Sequence, residues 1–260
     1  MRLLVTGGRT GYLGRHVVAA AATGHEVVAV GSADADVRDA AAVESLVEHH
    51  QPDAIVHTAY VQSDRAVTAG GAAHVARAAA RHGARMVLVS SDVVFGGSDR
   101  PYDEAAPTDP VSPYGEAKVA AERAVLDIRA DAVVARTSLI LGDGASQHEE
   151  LVRRLAAGGD GALFEDERRC PVHVADLATA LVELAGNDVA GVLHVAGADG
   201  MSRLELGRLI ARRDGLDVAT LRGTTRALAQ VAGPVDVRLD SSLAATVLET
   251  RLRGAREFLS

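Results

Sequence analysis

Leu3-Leu4-Val5-Thr6-Gly7-Gly8-Arg9-Thr10-Gly11-Tyr12-Leu13-Gly14-Arg15-His16-Val17-Val18 runs from a short apolar stretch, through four glycines, into a helix-forming stretch. A strand that turns through glycines into a helix leaves free N–H groups where a dinucleotide pyrophosphate docks, and glycine lets the backbone approach it closely. Gly8, Gly11 and Gly14 keep a three-residue spacing, unlike the common G-x-G-x-x-G fingerprint. The position at the first strand–helix junction therefore weighs more than the spacing. A tight turn without a ligand is the plain alternative.

The pattern repeats outward from this turn. Apolar runs at Leu3–Thr6, Glu26–Val30, Ala54–Thr58, Arg85–Ser90 and Ala132–Thr137 alternate with Ala-rich helical stretches at Leu13–Ala22, Asp39–His50, Thr68–His82 and Pro113–Arg129. Continuous apolar strands separated by helices indicate a parallel sheet covered on both faces. Gly24 and Gly83 stand at expected helix C-caps, and Pro52 stops the second helix. Beyond Gly142 come a helix at His148–Ala157, a strand–helix pair at Pro171–Ala185, a strand at Val192–Ala196 and a helix at Ser202–Arg213. Short helices are expected near Ser241–Leu248 and Gly254–Phe258. The fold class is α/β, a doubly wound parallel sheet with a smaller C-terminal substrate lobe. The dinucleotide domain is assigned to residues 1–141 plus about 171–196, and the lobe to 142–170 and 197–260, in one continuous unit.

Composition narrows the function. The chain has 260 residues, 48% hydrophobic and 24% charged, enough to bury a full core. A net charge of −8 argues against a general nucleic-acid or membrane-surface binder. The single cysteine, Cys170, excludes disulfide frameworks and thiolate zinc sites and reads as an inert small hydrophobe. The ten histidines show no metal-ligand spacing. No apolar run approaches a membrane span, and the N-terminus reaches glycine too early for a signal peptide. A soluble, cytoplasmic protein is expected.

Only one of the 27 basic residues is lysine, Lys118, and it follows Tyr114 by four positions in a helical stretch. With 4 tyrosines in 260 positions, a randomly placed lysine would follow one at that spacing about 1.5% of the time. Residues four apart share a helix face, and an ammonium beside a phenol stabilises phenolate, which tunes an otherwise weak acid for proton transfer. Arg differs in shape and cannot take the same slot. Ser91, at the end of the fourth strand, faces the crevice where ligands of open α/β sheets bind, and is placed to hold a substrate carbonyl. At the end of the second strand Gly31 and Ser32 are small and neutral. With Arg9 nearby, they favour a 2′-phosphate and so NADP(H). Asp34 and Asp36 leave NAD(H) open. Arg136, Arg168, Arg169 and Arg238 are candidates for a substrate diphosphate, and His173 for the pocket border.

Ser90-Ser91-Asp92-Val93-Val94-Phe95-Gly96-Gly97, Pro101-Tyr102-Asp103-Glu104, Pro113-Tyr114-Gly115-Glu116-Ala117-Lys118 with Glu122, Arg136-Thr137-Ser138 and Pro171-Val172-His173-Val174-Ala175-Asp176-Leu177-Ala178 stand in order along the chain. Together with the glycine loop they resemble the extended short-chain dehydrogenase/reductases, and within them the dTDP-4-dehydrorhamnose reductases. The resemblance implies a Rossmann fold and NADPH-dependent reduction of the 4-keto group of a nucleotide-linked deoxysugar. It implies Ser91, Tyr114 and Lys118 as the catalytic triad. It makes Gly8, Gly11, Gly14, Tyr12 and Leu13 the phosphate loop, and Asp36 and Val37 the adenine contacts. Thr58, Ala59 and Tyr60 then line the nicotinamide ribose, with Ser90 beside the cofactor, and Asp92 and Leu139 face the sugar. A homodimer formed by the helices Thr68–His82 and Pro113–Arg129 is implied as well.

The chain departs from that pattern in places. Gly7 is one residue extra before the glycine loop, the segment between Asp64 and Thr68 is short, Thr68 replaces an Asn, and Leu139 replaces an aromatic residue. Asp92 is followed by Val93 rather than Glu, which disfavours dehydration chemistry. An epimerase, a cofactor-binding regulatory subunit and a reductase of non-sugar carbonyls are the alternatives.

Overall fold

The computed structural model describes the whole chain, Met1–Ser260. In the first half the apolar runs become strands β1 (Arg2–Thr6), β2 (Glu26–Val30), β3 (Ala54–His57), β4 (Arg85–Ser91) and β5 (Val133–Thr137). They alternate with helices α1 (Tyr12–Ala21), α2 (Ala40–His50), α3 (Ala72–His82) and α4 (Pro113–Ile128). The second half adds β6 (Ile140–Leu141), α5 (Gln147–Ala156), β7 (Leu163–Phe164), β8 (Arg168–Arg169), β9 (Val172–His173), α6 (Val174–Gly186), β10 (Gly191–His194), β11 (Met201–Ser202), α7 (Arg203–Arg213) and β12 (Gly223–Thr224). Three one-turn helices follow: α8 (Arg226–Ala229), α9 (Ala244–Val247) and α10 (Ala255–Phe258).

Six strands form one sheet in the order β10-β5-β4-β3-β1-β2, and every neighbouring pair is parallel. Successive side chains of a strand face opposite sides, and both sides are apolar here. Leu3, Val5, Val56, Val87 and Val133 pack with Leu13 and Val17 of α1 and Leu177, Leu181 and Leu184 of α6. Leu4, Ile55, Met86, Leu88 and Val134 pack with Val43, Val47, Val75 and Val125 of α2, α3 and α4. A separate cluster holds α5 to α7 through Val152, Leu155, Leu204 and Ile210. Because β1 lies between β2 and β3, the chain crosses to opposite sides of it, which opens a crevice at the strands' C-terminal ends.

The structure revises several local expectations. Residues Ala66–Gly71 form a π-helix, and α3 begins only at Ala72 rather than at Thr68. Asp64 accepts from the N–H groups of Ala66 and Val67, while the Thr68 hydroxyl donates to the Val61 carbonyl at 2.8 Å and accepts from its N–H at 3.2 Å. These side-chain bonds compete with a regular first turn. Helix α1 ends on Ala22, two residues before Gly24, and α2 ends on Gln51 in the left-handed region. The helix expected over Ser241–Leu248 shrinks to a single turn. Strand β9 pairs with β6 outside the main sheet.

Candidate active site

The glycine turn shapes the first of two cavities. Gly7 has φ +71°, and an added Cβ would lie 2.8 Å from the Thr58 hydroxyl oxygen. Gly11 donates to the Gly7 carbonyl at 3.0 Å, and a Cβ on Gly14 would collide with that same carbonyl. Helix α1 opens on Gly11 with no side-chain cap, so its first N–H groups are available to an anion. A cavity of about 490 Å³ begins there and passes Val30, Gly31 and Ser32 to Asp36 and Val37, with Thr58, Ala59 and Tyr60 on its other wall.

Two expected cofactor residues stand elsewhere. Gly8 lines neither cavity; its N–H bonds Val30 at 3.0 Å, which seats the turn on β2. Arg9 lies outside the cavity lining, paired with Asp34 at 2.9 Å and backed against Gly31. Sequence reasoning missed Arg38, which lines the cavity and grips Asp36 with two nitrogens. That guanidinium holds the Asp36 carboxyl down at about 2.

The second cavity, about 470 Å³, shares Gly11, Thr58 and Tyr60 with the first and collects Tyr12, Leu13, Gly14, Ser90, Ser91, Asp92, Tyr114, Lys118 and Leu139. Helix α4 starts on Ser112, whose hydroxyl accepts from the Gly115 N–H at 3.1 Å, and Pro113 occupies its first position. A Cβ on Gly115 would collide with the Val93 carbonyl, so glycine lets α4 approach the end of β4. Tyr114 and Lys118 therefore face Ser91 across the cavity. The Ser91 hydroxyl accepts from Val93 N–H and donates to Asp92 Oδ1 at 3.2 Å. The Ser90 hydroxyl, at the same cavity, donates to buried Glu122.

The expected Lys118-to-phenol contact is not made directly. Lys118 Nζ donates to the Val89 carbonyl at 3.0 Å and lies 5.9 Å from the Tyr114 ring centroid. Burial, with smaller contributions from Tyr60 and Asp92, pushes the Tyr114 phenol above its ordinary range instead of below it. Burial also brings the Lys118 ammonium down to about 8, with Glu122 opposing the shift. Water exclusion dominates both groups.

Of the far wall the sequence singles out only Arg169, as a diphosphate candidate, and Ser138, within the Arg136-Thr137-Ser138 stretch. Ser138, His148, Glu167, Arg169 and Arg226 line it, from four separated segments. Asp92 is 3% exposed; its Oδ2 accepts from Ser138 at 2.6 Å and lies 3.5 Å from Arg169 Nε. Burial raises the Asp92 pKa against the pull of Arg169 and Ser138. Arg169 gives its remaining donors to the Arg168, Pro234 and Val235 carbonyls, so its guanidinium is already engaged by the protein. Arg136 is excluded from that role: it is buried against Glu122 at 2.8 Å and over the Phe95 ring. Arg238 pairs with Asp236, and Arg168 stands outside the cavity. His173 caps α6 instead of bordering the pocket. Cys170 is buried, its thiol pushed up to about 11 by burial.

Tyr12 joins the two halves. Its hydroxyl donates to Asp143 at 2.6 Å, and His16 meets the same carboxylate at 2.9 Å. The glycine loop is thereby tied to the segment that follows β6.

Comparison with known proteins agrees with this geometry. The family model described as the RmlD substrate binding domain matches residues 1–259. A dTDP-4-dehydrorhamnose reductase of Mycobacterium tuberculosis is 37% identical over 245 residues, covering 87% of this chain and 80% of that protein. One of Mycolicibacterium smegmatis is 36% identical over 278 residues, covering 99% and 84%. Among solved structures, the Bacillus anthracis dTDP-4-dehydrorhamnose reductase in complex with NADP superposes with a TM-score of 0.90 at 24% identity, over 99% of this chain and 96% of that one. The chain thus belongs to the dTDP-4-dehydrorhamnose reductase family of extended short-chain dehydrogenase/reductases.

Proposed function

We propose that the protein reduces the 4-keto group of a nucleotide-linked deoxysugar with NADPH. The observation that carries this reading is the meeting of Ser91, Tyr114 and Lys118 in a cavity that shares Gly11, Thr58 and Tyr60 with the cavity of the glycine turn. The residues present fit a dinucleotide: a Cβ at Gly7 or Gly14 would fill the turn, and the N-terminus of α1 is uncapped. Gly7, Gly11, Tyr12 and Leu13 would hold the pyrophosphate, Thr58 to Tyr60 the nicotinamide ribose, and Gly31, Ser32 and Arg38 the adenosine end. Asp34 and Asp36, which would repel a 2′-phosphate, are each engaged by an arginine, which favours NADPH over NADH. When bound, that cofactor supplies the hydride.

The chain's own groups handle the proton. Burial keeps the Tyr114 phenol protonated across neutral pH, so it acts as the general acid that donates to the developing alkoxide. Lys118 supplies the positive charge that offsets the phenolate left behind. Ser91 exchanges its bond to Asp92 for one to the substrate carbonyl and orients it. Residues 142–170 and 197–260 form the substrate side, where Glu167 and Arg226 face the cavity beside Leu139.

The test is NADPH consumption with a dTDP-4-keto-6-deoxysugar, with the product identified by mass and stereochemistry. Stoichiometric consumption and a 4-hydroxyl product support the reading. Sugar turnover without net consumption would instead make the protein an epimerase.

A cytoplasmic homodimer completes the reading. Of the helix Thr68–His82 expected at its contact, the alanines Ala72, Ala76 and Ala79 are already buried inside the protomer. The faces left for a partner carry Arg77, Arg81, Glu116 and Arg123. Light scattering at micromolar concentration decides this point, and a monomer would refute it.

A further inference from the structure

Lys118 is 5% exposed, yet a single protein acceptor, the Val89 carbonyl at 3.0 Å, meets its three donors. Several titratable or charged groups face it. His57 and Tyr60 come from β3 and the loop after it, and Tyr114 and Glu122 from its own helix. Asp92, at the end of β4, acts on Tyr114. Glu122 is occupied by Arg136 and Ser90, and His57 is held neutral by burial, with Lys118 adding to that effect. The nearest aromatic face is that of Tyr60. Its ring centroid is 5.0 Å from Nζ, against 5.9 Å for Tyr114, and the two rings lie 5.8 Å apart.

Tyr60 is 46% exposed and borders both cavities, so no core packing explains its place. What holds it is the next residue. Both backbone groups of Val61 are bonded by the Thr68 hydroxyl, from inside the π-helix Ala66–Gly71.

We propose that Tyr60 is a positioning residue for Lys118: its ring face keeps the ammonium charged and in place inside a water-poor cavity, and Thr68 fixes the backbone that aims the ring. A cation is attracted to the electron-rich face of a phenol ring, and the attraction grows as water is excluded. The catalytic meaning of this contact rests on the reductase reading; the contact itself does not.

The chain offers a direct probe, because Lys118 is its only lysine. Lysine-selective ¹⁵N labelling of the full-length protein gives one side-chain ammonium signal, titrated by NMR without substrate. Tyr60→Phe should titrate with the wild type, since the ring face is kept. Tyr60→Leu should lower the lysine pKa by about 0.4 to 1.5 units. Difluoro- and trifluorophenylalanine at position 60, which drain the ring face at nearly constant shape, should lower it in steps. Thr68→Val should move it in the same direction, and Thr68→Ser should not. An unmoved signal across the fluorinated series, or a rise in Tyr60→Leu, would overturn the proposal, the latter because Tyr60 would then only exclude water. Should Tyr60→Leu fail to fold, the fluorinated series still decides. In the reductase, the alkaline limb of kcat should shift to lower pH by the same interval. Loss of the reductase reading would leave the lysine titration standing, so the two failures are distinguishable.

Discussion

The two cavities of this protein are built on different principles. The first is backbone and apolar side chains, with its ions on the rim: Arg9 with Asp34 and Arg38 with Asp36 are half-exposed pairs that water screens. The second is walled by buried ions. Asp92, Lys118 and Arg169 are each at most 5% exposed, with Glu167 at 8%. Ions out of water interact strongly and tolerate no missing partner. The first cavity therefore recognises shape and a helix N-terminus, whereas the second holds charge in place for a reaction. One chain sets both side by side because Tyr60, Thr58 and Gly11 belong to both walls.

That contrast can be broken most forcefully at the reacting pair. Tyr114→Phe and Lys118→Met should each lower turnover by about 10²- to 10⁴-fold, the usual worth of an acid–base group. Lys118→Arg should recover only part of the loss. In Lys118→Met the alkaline limb that the lysine sets should disappear, so pH–rate profiles of all four proteins are the measurement. A Lys118→Met enzyme with wild-type turnover would remove the mechanism.

The next largest effect concerns folding. Arg169→Met leaves buried Asp92 without its cationic partner, while Glu167 keeps Arg226, and should cost about 3–5 kcal/mol in urea unfolding. Arg38→Ala on the rim of the first cavity should leave the unfolding midpoint where it is. Equal losses would mean that the two cavities are held alike.

Acid sharpens the same contrast. Burial pushes His57 down to about 3, helped by Lys118, and His148 down to about 3, helped by Arg203. Both folded-state values lie below the unfolded value of about 6.5, so the unfolded chain takes the protons first. Stability is then complete above about pH 6.5 and is lost as pH falls toward 3, by roughly 1.4 kcal/mol per pH unit for each histidine. Thermal unfolding across this range should show the decline, and His148→Gln, on the second cavity, should flatten it by about half. A pH-independent Tm between 7 and 4 would contradict the burial of both rings.

The smallest effect belongs to the first cavity's rim. Arg38→Ala should weaken NADPH binding about three- to tenfold, less than the ~1.5–3 kcal/mol of a free charged hydrogen bond, because Asp36 already shares the guanidinium. NADH affinity should stay unchanged. Calorimetric titration of both cofactors checks it, and equal wild-type affinities for NADPH and NADH would refute the cofactor preference.

Much of the first cavity was legible in the order of residues. The strand–glycine–helix junction at Thr6–Gly14 is local, as is the i, i+4 spacing of Tyr114 and Lys118. The far wall was not. His148, Glu167, Arg169 and Arg226 come from α5, the loop before β8, β8 itself and α8; of these the sequence singles out only Arg169, and nothing in the other segments marks a pocket. Arg136 was misread for a related reason: a guanidinium inside a strand resembles a ligand group until Glu122, 14 residues earlier, is seen to fill it. Thr68 was noted only as a departure; its bond to Val61 across seven residues gives it a role.

Local chemistry thus determined the sheet, its glycine turn, the family and the reacting pair, because hydrophobic period, glycine conformation and helix spacing act over a few residues. Tertiary structure decided which charges are buried and which are solvated. It placed Lys118 on Val89 and beneath Tyr60 rather than on the phenol, and Arg169 on Asp92. Whether an ion meets water or a partner depends on segments distant in sequence, and that choice sets its energy and its pKa.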